Sequence, residues 1–338
     1  LEFFLRIAVL YLPVFLLSVY FGYIFKRYAL KKGLIDNPNH RSSHTIPTPR
    51  GAGIVFIGLW YIFVLISGIM EKISWQIILI LAPTLLVSII SYLDDYYTLS
   101  AKIRFSIQSL ASIIVLIFLG NIILELGFFS IHFFLITFIF LFLALIWSTN
   151  LFNFMDGMDG LAATEAIFIL GVGGLLTYLN GGIELSHLLW GLVALLMGFL
   201  VWNRPKAKIF MGDVGSASLG FVILVSGLIA QKYYQVPFVL WLMLYGAFLF
   251  DSTATLIRRL LKGEKWYEAH RKHAYQRLHQ AGWSHAKILY ALIAVNFIIA
   301  GLAIEAYFLP AITFIFVLLE ILLLFIIYKK IEKLRAMK

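Results

Sequence analysis

The sequence predicts an all-α polytopic membrane protein of about eleven transmembrane helices, and three observations carry that reading. Of its 338 residues 62% are hydrophobic and 13% charged, with a mean hydropathy of +0.94; an average soluble domain carries about 25% charged residues. The apolar residues form continuous runs near the ~20 residues that a helix needs to cross a bilayer, without the period-two alternation of barrel strands. Finally, 24 of the 27 Lys and Arg residues fall in five of the segments that separate the runs in alternation, as the positive-inside rule requires of one membrane side.

Runs bounded by charge, Gly or Pro place spans near 7–25, 51–70, 73–93, 105–123 and 131–149. Six more fall near 161–179, 185–202, 214–230, 237–256, 286–307 and 310–328. The first is too long for a signal-peptide core and lacks a small-residue cleavage site, so it reads as an anchor. The basic residues lie in 25–50, 94–104, 203–216, 257–287 and 329–338; with 150–160, which has none, these segments are expected in the cytoplasm. An odd number of crossings then puts the N-terminus in the periplasm and the basic tail inside. With no internal repeat or low-complexity linker, residues 1–338 read as a single membrane domain. Thirty Phe, 17 Tyr and 8 Trp exclude disorder, and the absence of Cys excludes disulfides, thiol catalysis and thiolate metal sites. A formal charge of +10 would suggest nucleic acid in a soluble protein, whereas here it reads as basic cytoplasmic loops.

Six of the seven aspartates lie in the cytoplasmic segments, and the seventh, Asp251, lies about one and a half turns from the inner end of its span. Six of the eight histidines are cytoplasmic too. Reactive groups at one membrane surface argue against the alternative of a multipass secondary transporter, whose ionisable groups usually sit near the bilayer midplane. A lipid-binding scaffold is a further alternative.

Four blocks concentrate the polar chemistry. Asp94-Asp95 closes the third span, where a helix C-terminus and mutual repulsion both disfavour carboxylates; such a pair needs a cation or serves as a base, unless both are simply solvated. Lys102 and Arg104 follow closely enough to share a phosphate with it. Asn150, Asn153, Asp156 and Asp159 recur every third residue, with Gly157 and Gly160 interleaved. Oxygen ligands of this kind suit Mg²⁺, while an Asx-turn connector is the plain alternative. Asn203-Arg204-Pro205 precedes Phe210-Met211-Gly212-Asp213-Val214-Gly215-Ser216, which puts Asp213 at a helix N-terminus as an anion-site residue or only a cap. The 257–287 loop holds Arg258-Arg259 and then His270-Arg271-Lys272-His273-Ala274-Tyr275-Gln276-Arg277-Leu278-His279, a cluster suited to oxyanions. A zinc site or an anionic-lipid patch remains open for it. Gly171-Val172-Gly173-Gly174 lies within a span and reads as helix packing; Glu165 and Glu320 are intramembrane carboxylates with no partner visible in sequence.

In this order, on alternate span ends, the blocks resemble the polyprenyl-phosphate N-acetylhexosamine-1-phosphate transferases, which include the bacterial enzymes that start O-antigen and other lipid-linked surface glycans. The resemblance runs from Asp36-Asn37-Pro38-Asn39-His40-Arg41 and Pro49-Arg50-Gly51 through Gly282. It implies transfer of a sugar-1-phosphate from a UDP-N-acetylhexosamine to undecaprenyl phosphate, with release of UMP, at the bacterial inner membrane. It also implies Mg²⁺, with Mn²⁺ as a substitute. By similarity Asp213 is the main metal ligand and Asn153 the second. Asp94 and Asp95 match the catalytic pair proposed to bind or deprotonate the lipid phosphate. Phe210 matches a ring that stacks on uracil, Asp159 and Asn203 match positions near the nucleoside, and Lys102 and Arg104 match basic residues near phosphate. Asn150, Asp156, Asp251, His273, Tyr275 and Arg277 complete the expected substrate-binding set. Expected partners are the UDP-sugar, undecaprenyl phosphate, membrane lipid and a second copy in a dimer, with no nucleic acid. Where many relatives carry His-x-His-His this chain reads His273-Ala274-Tyr275-Gln276, a variant that resembles enzymes using 6-deoxy sugars such as N-acetylfucosamine or N-acetylquinovosamine.

Overall fold

The computed structural model describes residues 2–38, 43–127, 129–265 and 270–337. Asn39, His40 and Arg41 of the first cytoplasmic segment lie outside the described residues. Helices lie in each of the expected apolar runs: α1 (Glu2–Lys32), α2 (Gly53–Ile69), α3 (Trp75–Leu81), α4 (Thr84–Tyr97), α5 (Ala101–Leu119), α6 (Phe134–Met155) and α7 (Leu161–Leu179). They continue with α8 (Ile183–Asn203), α9 (Gly212–Tyr234), α10 (Phe238–Leu244), α11 (Gly246–Leu261), α12 (Ala274–Gln280), α13 (His285–Phe308) and α14 (Thr313–Leu334). The described strands are short: β1 (Ile35–Asp36) pairs antiparallel with β2 (Thr48–Pro49), and β3 (Leu124–Glu125) with β4 (Ser130–Ile131).

The chain is an all-α polytopic membrane protein. Among the described residues nine helical stretches are long and apolar enough to cross a bilayer, α3 and α4 counting as one. The α10–α11 pair makes a tenth if its bend of 76° lies within one span, and α2 is a shorter apolar helix of 17 residues. Two expected runs are thus broken. Pro83, which has no N–H to donate, separates α3 from α4, and the chain turns sharply at Tyr245 between α10 and α11.

Small residues determine the packing. In α9, 94% of the most apolar window is buried, and its sequence Gly212-Asp-Val-Gly-Ser-Ala-Ser-Leu-Gly220 lets neighbouring backbones approach. A Cβ on Gly53 would come within 2.4 Å of Gly215, so α2 meets α9 backbone to backbone. Ser148 of α6 donates to the Gly220 carbonyl (2.6 Å), and Ser88 of α4 bonds Ser218 (2.7 Å). α9 is therefore the central helix, packed against α4, α6 and α2. This brings together the C-termini of α4, α6 and α8 and the N-termini of α2 and α9.

The weaker sequence signals find structural roles. Gly173 and Gly174 seat the rings of Trp241 and Trp190. Glu165 accepts from Asn296 (2.6 Å), and Glu320 abuts Gly246 where α10 gives way to α11.

Candidate active site

Helix ends, not loops, carry most of the polar blocks. Asp94 and Asp95 lie inside the last turn of α4, Asn150 and Asn153 in the last two turns of α6, and Asp213 in the first turn of α9. Asp95 faces the start of α9, where free N–H groups and the helix dipole favour an anion. Its two oxygens accept from the backbone N–H groups of Asp213 and Val214, both at 3.0 Å. Gly212, at φ +72°, allows this approach, since a Cβ there would stand 2.6 Å from the Asp95 carboxylate. The bland alternative for Asp213, a cap, falls instead to Asp95, which leaves the Asp213 carboxylate to face the site.

Two arginines hold the acidic cluster. Arg50 Nη2 lies 2.7 Å from Asp213 Oδ1 and 2.8 Å from Asp95 Oδ1. Arg104 pairs with Asp94 at 2.7 Å and approaches Asp213 at 3.6 Å; Asp94 also accepts from the Leu99 N–H (2.6 Å). Burial opposes the charge on Arg50, but Asp213, Asp95 and Asp36 outweigh it and hold its pKa above the ordinary value.

Beside the cluster lies a cavity of about 300 Å³, lined by Asn153, Asp156, Asp159, Asn203, Phe210 and Asp213 of the expected residues. Asn203 ties two loops together: its Oδ1 accepts from the Gly160 N–H (3.0 Å) and its Nδ2 donates to the Ile209 carbonyl (2.8 Å). Asp159 accepts from the Ala207 N–H (3.2 Å) and pairs with His285 (3.1 Å). Phe210 presents its ring to the cavity, with His44 edge-on at 4.9 Å, and the bonds Phe210 N–H to Pro49 and Ala52 N–H to Phe210 fix its backbone.

The donor set fits a hard divalent cation. The Asp156 carboxylate receives no hydrogen bond among the described residues. Burial, then the charge of Asp213, with further contributions from Asp95 and Asp159, pushes its pKa well above the usual carboxylate range. A cation beside Asp156 and Asp213 would relieve that repulsion, and Asn153 adds a neutral oxygen. No cluster of three or more acidic, His or Cys ligands with metal geometry is present among the described residues. Mg²⁺ is commonly held by one or two carboxylates plus substrate phosphates and does not require such a cage.

Other expected residues stand apart from the cavity. Lys102 is exposed on the first turn of α5, and Asn150 donates to Gln108 of α5 and to the Ile146 carbonyl. Asp251 accepts from the Ala274 N–H (2.8 and 2.9 Å) and from Thr255, so it secures the start of α12. His273 is buried 3.8 Å from Asp251 and caps the same helix. The Tyr275 hydroxyl donates to the Phe154 carbonyl (3.1 Å) beneath Gly157, and burial raises its pKa strongly. Arg277 turns away to Glu332 of α14 (2.5 Å) and lies 4.6 Å from the Tyr328 ring centre. The residues of this loop region that do reach the cavity are Gln276 and His285. These two, with His44 and Arg50, were absent from the expected set. Arg50 and Gln276 had signals, the Pro49-Arg50-Gly51 motif and the His273-Ala274-Tyr275-Gln276 block, whereas His44 and His285 had none that pointed inward.

Comparison with known proteins bears directly on this arrangement. Residues 77–231 match the family described as glycosyl transferase family 4. A Bacillus subtilis (strain 168) protein named probable undecaprenyl-phosphate N-acetylglucosaminyl 1-phosphate transferase is 32% identical over 310 residues, covering 89% of this chain and 85% of that protein. The chain belongs to glycosyl transferase family 4. This family 4 chain is also similar to the undecaprenyl-phosphate α-N-acetylglucosaminyl 1-phosphate transferases of Escherichia coli O157:H7 and Yersinia pestis. The first is 28% identical over 307 residues, covering 87% of this chain and 82% of that protein. The second is 29% identical over 293 residues, covering 80% and 76%. The superfamily that the four polar blocks resemble is therefore the one to which the chain belongs.

Proposed function

We propose that the protein transfers a sugar-1-phosphate from a UDP-N-acetylhexosamine to undecaprenyl phosphate, releasing UMP and starting a lipid-linked surface glycan. The observation that carries this reading is the convergence of Asn153, Asp156, Asp159, Asn203, Phe210 and Asp213 from two separate segments on one cavity beside Asp94 and Asp95. An oxygen of the lipid phosphate attacks the β-phosphorus of the donor. The bond from that phosphorus to the bridging oxygen breaks, and the bridging oxygen leaves on UMP. Both substrates are polyanions, so positioning and charge neutralisation supply most of the catalysis.

Asp213 and Asn153, with Asp156, would hold Mg²⁺, for which Mn²⁺ can substitute. When bound, the ion neutralises diphosphate charge and stabilises the leaving oxygen. Phe210 offers its ring to uracil, and Asp159 and Asn203 shape the nucleoside end. Arg104 and Lys102 attract phosphate, and Asp94 and Asp95 face the acceptor phosphate. In this reading Asp251, His273, Tyr275 and Arg277 act through the loop they hold, and Gln276 is the member of the variant block that meets the sugar.

The protein is placed in the bacterial inner membrane with eleven spans, its N-terminus periplasmic and its site cytoplasmic. The basic-residue distribution supports that orientation. A C-terminal reporter should read cytoplasmic, and one at 181–184 periplasmic. The decisive assay offers purified protein, undecaprenyl phosphate and Mg²⁺ a panel of UDP-sugars, including N-acetylglucosamine and its 6-deoxy counterparts, and follows UMP. Release in detergent, with no compartment, supports a transferase. No release with any donor contradicts the reading.

A further inference from the structure

We propose that Arg50 is a positioning residue that competes with the divalent cation for Asp213 and, once displaced, turns its guanidinium to the donor diphosphate. This rests on the reading of Asp213 as a metal ligand. One nitrogen, Arg50 Nη2, bridges Asp213 Oδ1 at 2.7 Å and Asp95 Oδ1 at 2.8 Å. A cation coordinated by that Asp213 oxygen would stand beside a like charge, so the two exclude each other there. Arg104 is no equivalent, since its main contact is Asp94 at 2.7 Å and it stays 3.6 Å from Asp213.

The backbone and side chain of Arg50 are suited to different tasks. The Arg50 N–H donates to the Leu34 carbonyl (3.1 Å), its neighbour Pro49 pairs in β2, and Phe210 is bonded to Pro49 and Ala52 on either side. The Cα is therefore fixed beside the proposed uracil-stacking ring. The side chain is 41% exposed and lines two cavities, the one holding Asp156 and a second one bordered by Asp95, Tyr92 and Tyr96. Rotation about its own bonds moves the guanidinium from the carboxylates to a phosphate without backbone movement, and its planar fork suits the diphosphate.

The test is Mn²⁺ binding to the purified full-length protein, with no substrate added, read by paramagnetic resonance or calorimetry. Wild type, Arg50→Gln, Arg50→Lys and Asp213→Asn are compared. Removing the competitor should tighten Mn²⁺ binding by Arg50→Gln about fivefold, the scale of a partly exposed ion pair. Arg50→Lys, whose single ammonium cannot match the fork, should tighten it by roughly twofold and covers the case in which the Gln variant fails to fold. A purely structural tie predicts the opposite, weaker binding as Asp213 loosens. Unchanged or weaker binding in both Arg50 variants, with binding lost in Asp213→Asn, overturns the role of Arg50 alone. Binding that survives Asp213→Asn at wild-type affinity overturns the metal assignment beneath it.

Discussion

Replacing Asp95 by Asn removes one charge and one acceptor from the most constrained carboxylate of the site. Its side chain is 5% exposed, accepts two N–H groups of the first turn of α9 at 3.0 Å and pairs with Arg50. Asparagine keeps one acceptor oxygen but turns an NH₂ toward the other backbone donor, which leaves a buried N–H without a partner. A hydrogen bond to a charged group contributes about 1.5–3 kcal/mol, and an anion at a helix N-terminus about 0.3–1 kcal/mol. The relieved repulsion from Asp213 offsets part of this, so the net loss expected is about 2 kcal/mol. That corresponds to a fall in melting temperature of about 3 °C for a chain of 338 residues. Tryptophan fluorescence during heating in detergent measures it, with donor binding followed alongside. Melting equal to wild type would refute the claim that Asp95 fixes the start of α9, and would return Asp95 to a purely chemical role.

Asn203→Ala deletes both cross-loop hydrogen bonds at about 1 kcal/mol each, and nucleotide titration should show donor affinity falling by roughly tenfold. Because its pKa is raised in the folded protein, Asp156 favours the metal-free fold most below its unfolded pKa of about 3.9 and loses that contribution as pH rises. Metal must displace its proton, so divalent-ion affinity should weaken on acidification with measurable proton release, and Asp156→Asn should flatten the pH dependence by calorimetry. Burial, then His273, Arg259 and Lys272, depress His270 to about 3. Its contribution is whole above about pH 6.5 and lost as pH falls toward 3, so His270→Ala should shrink the difference in melting temperature between pH 7.5 and pH 5.

The helices and their common polar end were legible because bilayer length and charge asymmetry act on composition alone. The breaks at Pro83 and Tyr245 were less so, since an apolar run reads the same whether straight or bent by 76°. Asp213, Asn153 and Phe210 could be read from motif and order. Arg50 carried only the Pro49-Arg50-Gly51 motif, and its pairing with Asp213 was not legible because it arises from a long-range meeting of the α2 entry with α9 that spans 163 residues. The 270–279 loop was legible only in part for a related reason, since of its variant block Gln276 lines the cavity. Its basic and aromatic residues suggested substrate contacts, but Arg277 and Tyr275 spend their polar groups on Glu332 and the Phe154 carbonyl. Which face a side chain turns to is decided by packing against α14 and α6, which local sequence does not encode.

The central claim is that the bond broken lies between the two phosphates of the donor. UDP-N-acetylglucosamine, or whichever donor the panel selects, labelled with ³²P at the β-phosphate and incubated with the protein, undecaprenyl phosphate and Mg²⁺, tests it directly. Phosphoryl transfer predicts label in the organic-soluble lipid and unlabelled UMP in the aqueous phase, with both lost in Asp213→Asn. Label remaining in released UDP while the sugar alone moves to the lipid would contradict the account.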